Sequence, residues 1–155
     1  MQVVLQVLFE DIRVFWNPGF GPVHDPSDDF QFLVTRDYLD GILRLVTTGV
    51  LEFDVLMLSY GNRGPQGTPT PEEEALGLGV TTDSQTTSGY IVHWSMLDTL
   101  IANFKEAVAV GQFVDMHWKI LQKAPHVKWY YTQTRVGKQR PGYSDIEGRF
   151  VDYTS

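Results

Sequence analysis

The sequence predicts one compact α+β domain over residues 1–155, in which two or three helices cover a mixed or antiparallel sheet. The length of 155 residues and the hydrophobic fraction of 43% suit a single globular core. Apolar residues recur at helical spacing in some segments and run almost continuously in others, which indicates both helices and buried strands. A long loop rich in glycine and proline and a C-terminal β-hairpin complete the predicted fold.

The N-terminal segment, residues 1–16, fits two interpretations. Val4, Leu8 and Ile12 have helical spacing, whereas apolar residues at positions 3, 5, 7 and 9 alternate as they do in a strand. We favour the helix. Residues 17–26 contain three prolines and two glycines, so we expect a turn-rich connection there.

The following segment predicts a helix that begins after Ser27 as N-cap and stops at Gly49. A strand over residues 30–34, followed by a helix from Arg36, is the alternative. Residues 50–60 predict a strand. Because their apolar character is almost unbroken, we place this strand at the centre of the sheet, buried on both faces.

Residues 61–89 predict the long loop, with six glycines and three prolines. A short helix is expected inside it, with Thr70 as N-cap, Pro71 in the first turn and acidic residues after it. Loops of this length are uncommon in compact domains unless they are functional or lie against another surface. The loop is therefore part of the candidate contact surface.

The C-terminal half is predicted to hold two helices and a hairpin. Residues 90–94 form a short strand, and Ser95 with Asp98 resembles a capping box that opens a helix ending at Gly111. Residues 113–122 predict a second helix. The hairpin pairs residues 127–136 with residues 146–153, and its tip lies between Gly137 and Gly142.

Charge is divided unevenly along the chain. Residues 1–118 carry a net charge of −11, whereas residues 119–155 carry +4, and the whole chain carries −7. An acidic body with a basic, aromatic C-terminal quarter suggests two surfaces with different partners. The acidic body also argues against broad binding to nucleic acid, which requires many phosphate contacts.

Several kinds of chemistry are excluded by residue type and spacing. The chain has no cysteine, which excludes disulfides, thiolate nucleophiles and cysteine metal sites. The four histidines lack the spacing of a helical metal motif, so we expect neither a metal nor a cofactor. No apolar run approaches the roughly 20 residues of a membrane helix, and the first nine residues do not resemble a signal peptide. We therefore expect an intracellular or virion-associated protein without a membrane partner.

The hairpin is the strongest candidate surface in the sequence. Its aromatic and basic residues are of the types that dominate protein interfaces, and they also suit base stacking on nucleic acid. The acidic run on the long loop has two interpretations. Its acids stabilise the start of the short helix through the helix dipole, or they project from the loop and bind a basic groove on a partner. The candidate interaction residues are Lys128, Trp129, Tyr131, Arg135, Lys138, Arg140, Glu72, Glu73 and Glu74.

These patterns favour a non-enzymatic interaction or assembly subunit, such as a phage or virus structural component or an immunity-type protein. Its partner is another protein or further copies of itself in a homo-oligomer, with the acidic body of one copy receiving the basic hairpin of the next. Two alternatives stay open. One is a small hydrolase that acts on phosphoesters through His93 or His117, and the other is a nucleic-acid contact protein.

Overall fold

A five-stranded mixed sheet forms the centre of the domain, with helices on both of its faces. The computed structural model describes residues 30–61, 66–85, 89–139, 141–144 and 148–152. These residues form, in chain order, β1 (Phe30–Phe32), α1 (Arg36–Thr47), β2 (Val55–Ser59), β3 (Gln66–Gly67), α2 (Pro71–Ala75), β4 (Leu78–Thr81), β5 (Gly89–Val92), a 3₁₀ turn (Trp94–Met96), α3 (Leu97–Ala109), α4 (Val114–His117), α5 (Lys119–Gln122), β6 (Trp129–Thr132), β7 (Gly137–Gln139), β8 (Gly142–Ser144) and β9 (Arg149–Val151).

The strand order of the central sheet is β3-β4-β6-β2-β5. Strand β2 runs parallel to β6, with Val55 opposite Trp129, and antiparallel to β5. The other pairs of this sheet, β4 with β6 and β3 with β4, are antiparallel. Two short two-stranded ladders, β1 with β7 and β8 with β9, lie outside it. The prediction of a single α+β domain with a mixed sheet is confirmed.

Strand β2 separates two hydrophobic clusters. All five of its residues are buried, as the prediction for residues 50–60 requires, although the strand itself is shorter. Alternate side chains of a strand point to opposite faces. Leu56 and Leu58 accordingly join the cluster beneath α1, whereas Val55 and Met57 join the cluster beneath α3.

Helix α1 begins later than the Ser27 N-cap would place it. Thr35 caps it, since its Oγ1 accepts a hydrogen bond of 3.4 Å from the Tyr38 amide. Residues Phe30–Phe32 pair with Gly137–Gln139, and this pairing holds them extended. The alternative of a strand followed by a helix from Arg36 is therefore confirmed, and Gly49, with φ of 74°, follows the helix C-cap as expected. The predictions for residues 1–26 and Ser27 lie outside the described residues.

The predicted long loop contributes two strands to the sheet. The short helix inside it is confirmed: Thr70 and Glu73 form a capping box, and Pro71 stands in the first turn. Strand β4 was not predicted, because Leu78-Gly-Val-Thr81 is short and contains a glycine. Its Leu78 is fully buried and opposes Thr132 of β6, so this segment is part of the core.

The predicted C-terminal hairpin is wrong in its first strand. Residues 129–132 form β6, which lies between β2 and β4 inside the central sheet. The hairpin near the C-terminus is built from β8 and β9, with Tyr143 opposite Phe150. A run of four aromatic or β-branched residues fits a buried central strand as well as a hairpin, and only the partner strands decide between them.

The helices on the second face also differ in detail from the prediction. His93 caps the 3₁₀ turn, and Ser95 lies within that turn, so the predicted Ser95 and Asp98 capping box is not formed. The predicted helix over residues 113–122 is present as α4 and α5, which meet at Trp118. No helix in the described part of the chain has both the length and the apolar character needed to cross a bilayer.

Candidate protein interface

The aromatic residues of the predicted interaction surface belong to the core. Trp129 is 1% exposed and Tyr131 is 4% exposed. The indole of Trp129 packs edge to face against Trp118 at 5.2 Å, and the ring of Tyr131 packs against Tyr60 at 5.3 Å. Neither side chain has surface left for a partner protein or for stacking on a base. The structure therefore removes both from the candidate surface.

Lys128 and Arg135, two basic residues of that surface, have separate local contacts. Lys128 forms an ion pair with Glu52, which holds the pKa of the Glu52 carboxyl below its usual value. The guanidinium of Arg135 lies 5.0 Å from the centre of the Tyr60 ring. Lys138 is partly buried in β7, and Arg140 lies outside the described residues. Lys128 precedes β6 and Arg135 follows it, so these two cations lie towards opposite ends of that strand and do not share one patch.

The acidic run on α2 has a structural role through Glu73. Its Oε2 accepts a hydrogen bond of 2.8 Å from the Thr70 amide, and its Oε1 accepts one of 2.5 Å from the phenol of Tyr130. Burial and the Glu73 carboxylate both raise the pKa of the Tyr130 hydroxyl. Glu72 and Glu74 are exposed. The run therefore attaches the loop to β6, and only its two outer members face solvent.

Exposed apolar side chains are concentrated on the helices that cover the second face of the sheet. Among the described residues, thirteen large apolar side chains are exposed, and more than half of them lie in the segment from the 3₁₀ turn to α5. Contiguous apolar surface on a folded protein commonly marks an interaction site. These side chains are Trp94, Ile101, Val108, Val110, Phe113, Met116 and Ile120.

Helix α3 carries apolar residues on more of its surface than the sheet covers. Leu100 and Ala107 face the core and are 4% and 0% exposed. Ile101 and Val108, one residue further along in each case, are 44% and 74% exposed, and Trp94, seven residues before Ile101, is 60% exposed. Seven residues are close to two helical turns, so Ile101 and Val108 lie on one line along α3, and Trp94 lies in the 3₁₀ turn that leads into the helix. We call Trp94, Ile101 and Val108 the outer row.

Two opposite charges lie beside the outer row. Asp98, in the first turn of α3, and Lys105 are both exposed and are separated by seven residues. The rise between them is about 10.5 Å, too far for an ion pair within one helix. Neither forms an ion pair with another described residue. The outer row is thus bordered by an acid near one end and a base near the other.

The outer row carried a signal in the sequence. The helix that the sequence predicts up to Gly111 has apolar residues at helical spacing at Leu97, Leu100, Ile101, Phe104 and Ala107, which form one stripe. On a helical projection at about 100° per residue, Ile101 and Val108 lie roughly 80–100° from Leu100, at the edge of that stripe. An apolar face this wide is broader than the surface that the sheet covers, so Ile101 and Val108 at its edge are left exposed.

A cavity of about 240 Å³ lies at the end of the sheet where β2 and β6 begin and β5 ends. Phe53 and Leu51 give it an apolar wall, and His93 with Ser95 gives it a polar one. The Nδ1 of His93 lies 2.7 Å from the Ser95 hydroxyl and also accepts a hydrogen bond from the Ser95 amide. This pair suits a short local cap better than a nucleophile and its base, because the nitrogen nearest the hydroxyl also caps the turn.

The second histidine of the hydrolase alternative is in the interior. His117 is 5% exposed, its Nδ1 lies 2.7 Å from the side-chain oxygen of Gln112, and its Nε2 lies 3.4 Å from a carboxylate oxygen of Glu106. It does not line the cavity that His93 lines. Within the described ranges, no three His, Asp or Glu side chains are grouped closely enough to hold a metal ion.

No protein-family model, curated protein or solved structure is significantly similar to this chain.

Proposed function

We propose that this chain is a non-enzymatic interaction or assembly subunit that binds another protein through the outer row of α3. The observation that carries the proposal is the exposure of Ile101 and Val108 along one line of α3, with the exposed Trp94 in the 3₁₀ turn before it, while Leu100 and Ala107 of the same helix are in the core. Covering these side chains in a complex removes apolar area from water, and tryptophan is among the residues that contribute most to such contacts.

The contact surface differs from the one that the sequence indicates. The basic aromatic strand supplies core and local ion pairs, which leaves Arg135 and Lys138 as its candidate contacts. The exposed acids Glu72 and Glu74 lie on α2, which contacts Tyr130 in the cluster beneath α1 and is therefore on the other face of the sheet from the outer row. The outer row supplies the apolar centre that this surface lacks.

The two alternatives have less support. A phosphoester hydrolase that acts through His93 or His117 needs an accessible imidazole that is free for catalysis, yet His117 is in the interior and His93 caps a turn. A nucleic-acid contact needs free aromatic faces beside free cations. Trp129 and Tyr131 are buried, and Lys128 is paired with Glu52.

The acidic composition of the chain also bears on the kind of assembly that we propose. We propose a subunit of a larger particle, of the phage or virus structural kind or an immunity-type protein, that works inside a cell or in a virion. An acidic body discourages association with nucleic acid while leaving apolar contacts to proteins intact.

The test is the native mass of the tagged chain purified from its source cells, alone and as single variants. We expect a complex heavier than the monomer, and we expect Ile101→Ser and Val108→Ser to reduce it to the monomer. Leu33→Ser is the matched control, since Leu33 is 48% exposed and lies between β1 and α1, the helix that packs on the other face of the sheet. The control should retain the complex.

Two outcomes contradict the proposal. A monomer in source cells would exclude a stable partner. Loss of the complex with Phe150→Ser, but not with Ile101→Ser, would move the contact to the C-terminal hairpin, where Phe150 is 69% exposed.

A further inference from the structure

We infer that the outer row binds a second copy of this chain, with α3 of one copy packed antiparallel against α3 of the other about a two-fold axis near Ile101. This inference rests on the proposed function, because it names the partner for the same surface. It is carried by the order of apolar and charged residues along α3.

The apolar residues match themselves in this arrangement. A two-fold axis near Ile101 places Ile101 against its own copy and places Trp94 of each chain beside Val108 of the other. The large indole thus meets the smaller valine at both ends, and such pairing of a large with a small residue helps two helices to interdigitate. An interface of this kind is isologous and closes at the dimer.

The charges match in the same register. Asp98 lies three residues before Ile101 and Lys105 lies four residues after it, so an antiparallel copy brings each Asp98 next to the partner copy's Lys105. Two opposite-charge contacts form at once. The macrodipoles of two antiparallel helices also point in opposite directions, and this arrangement is electrostatically favourable.

A parallel arrangement is disfavoured by the same residues. It would place the two copies of Asp98 on opposite sides of the seam, and likewise the two copies of Lys105, so neither charge would gain a partner of opposite sign. The charges therefore determine the direction of pairing, while the outer row supplies the apolar area. Exposed alanines at positions 102 and 109 border the charged residues and leave room for close approach of the helices.

Charge reversal tests the register directly, with sedimentation equilibrium of the recombinant full chain as the measurement. We expect a dimer for the unmodified chain. Asp98→Lys or Lys105→Asp alone should raise the dimer dissociation constant by about tenfold or more, because each turns two attractions into two repulsions. An equimolar mixture of the two variants should form a heterodimer, and the double variant D98K/K105D should form a homodimer again.

Matched controls separate pairing from folding. Glu72→Lys changes an exposed acid in the first turn of α2, just as Asp98→Lys does in α3, and Lys123→Asp changes an exposed lysine outside α3. Both controls should leave the dimer intact. The inference is overturned if the unmodified chain is a monomer or if the single charge reversals have no effect. It is also overturned if the equimolar mixture of the two variants does not form a heterodimer.

Cysteine cross-linking keeps the inference testable if a charge variant fails to fold. The natural chain has no cysteine, so each engineered thiol is the only one. Oxidation of a mixture of Trp94→Cys and Val108→Cys chains should give a disulfide-linked dimer, whereas each variant alone should not. Cross-linking of each variant with itself would show parallel pairing and overturn the inference.

The two proposals fail in different ways. If Ile101→Ser dissociates a complex from source cells while the pure chain is a monomer, the outer row binds a different protein and only the self-association is wrong. If Ile101→Ser changes neither the complex from source cells nor the oligomeric state of the pure chain, both proposals are wrong.

Discussion

The phenol of Tyr130 donates a hydrogen bond of 2.5 Å to the carboxylate of Glu73 and so ties the helix of the long loop to a strand of the central sheet. Tyr130 is 5% exposed, and Glu73 at the same time completes the capping box of α2. One acidic side chain thereby supports two elements that are 57 residues apart. The acidic run suggests a partner in the sequence, but its central residue, Glu73, makes contacts within the domain itself.

Removing that hydroxyl should weaken the domain. Tyr130→Phe deletes the hydrogen bond and leaves the ring in place, so we expect a loss of about 1–2 kcal/mol in the free energy of unfolding. Urea denaturation followed by circular dichroism measures it. Glu72→Gln and Glu74→Gln are the controls, and equal losses in all three variants would contradict a specific role for Glu73.

Gly79 is predicted to be irreplaceable for steric reasons. A Cβ at this position would overlap the ring of Tyr131 on the neighbouring strand. Gly79→Ala should therefore cost about 1–3 kcal/mol of unfolding free energy or prevent folding. Calorimetric melting of the purified variant measures the effect.

Gly41 provides the contrasting case in the same chain. It lies within α1, and a Cβ there meets no atom within 4 Å. Gly41→Ala should raise the unfolding free energy by about 0.5–1 kcal/mol, because alanine favours the helix. A loss of stability in Gly41→Ala, or none in Gly79→Ala, would show that packing at these positions has been misjudged.

Gln122 is expected to hold the buried backbone of Ser84. Its side-chain oxygen accepts a hydrogen bond of 2.7 Å from the Ser84 amide, and its side-chain nitrogen donates one of 2.9 Å to the Ser84 carbonyl. Gln122→Ala leaves the amide without this partner, and its desolvation should cost about 1–3 kcal/mol. Lys123→Ala, an exposed neighbour, should cost little, and faster hydrogen exchange of the Ser84 amide in Gln122→Ala alone would confirm the role.

Asp83 is predicted to make stability depend on pH. A hydrogen bond from Lys119, 2.8 Å away, lowers the pKa of the Asp83 carboxyl from its ordinary value of 3.8. A depressed pKa in the folded state stabilises the fold above the ordinary value, and this contribution disappears as pH falls through the folded value. Lys119→Met should therefore return the pKa toward 3.8 in an NMR titration of Asp83. Its stability deficit should shrink below pH 3.8, and a deficit that persists unchanged in acid would point to packing of the lysine stem.

Local signals in the sequence were reliable, and long-range pairing was not readable from it. Thr70 and Pro71 correctly predict α2, because helix capping depends on residues within one turn of each other. The residues of β6 gave the right secondary structure but the wrong partner, since nothing within 129–132 encodes the pairing of Trp129 with Val55 across 74 positions. The outer row was missed for a similar reason: whether Ile101 is covered depends on how wide the sheet beneath it is.

The alternation along β2 restricts how this chain can change in evolution. Val55 and Met57 complete one cluster while Leu56 and Leu58 complete the other, so both halves of the interior depend on the same register. Inserting or deleting one residue within this strand would exchange the two sets and mismatch both clusters together. Length variation among descendants of this sequence should therefore spare residues 55–59 and fall in the connections around them.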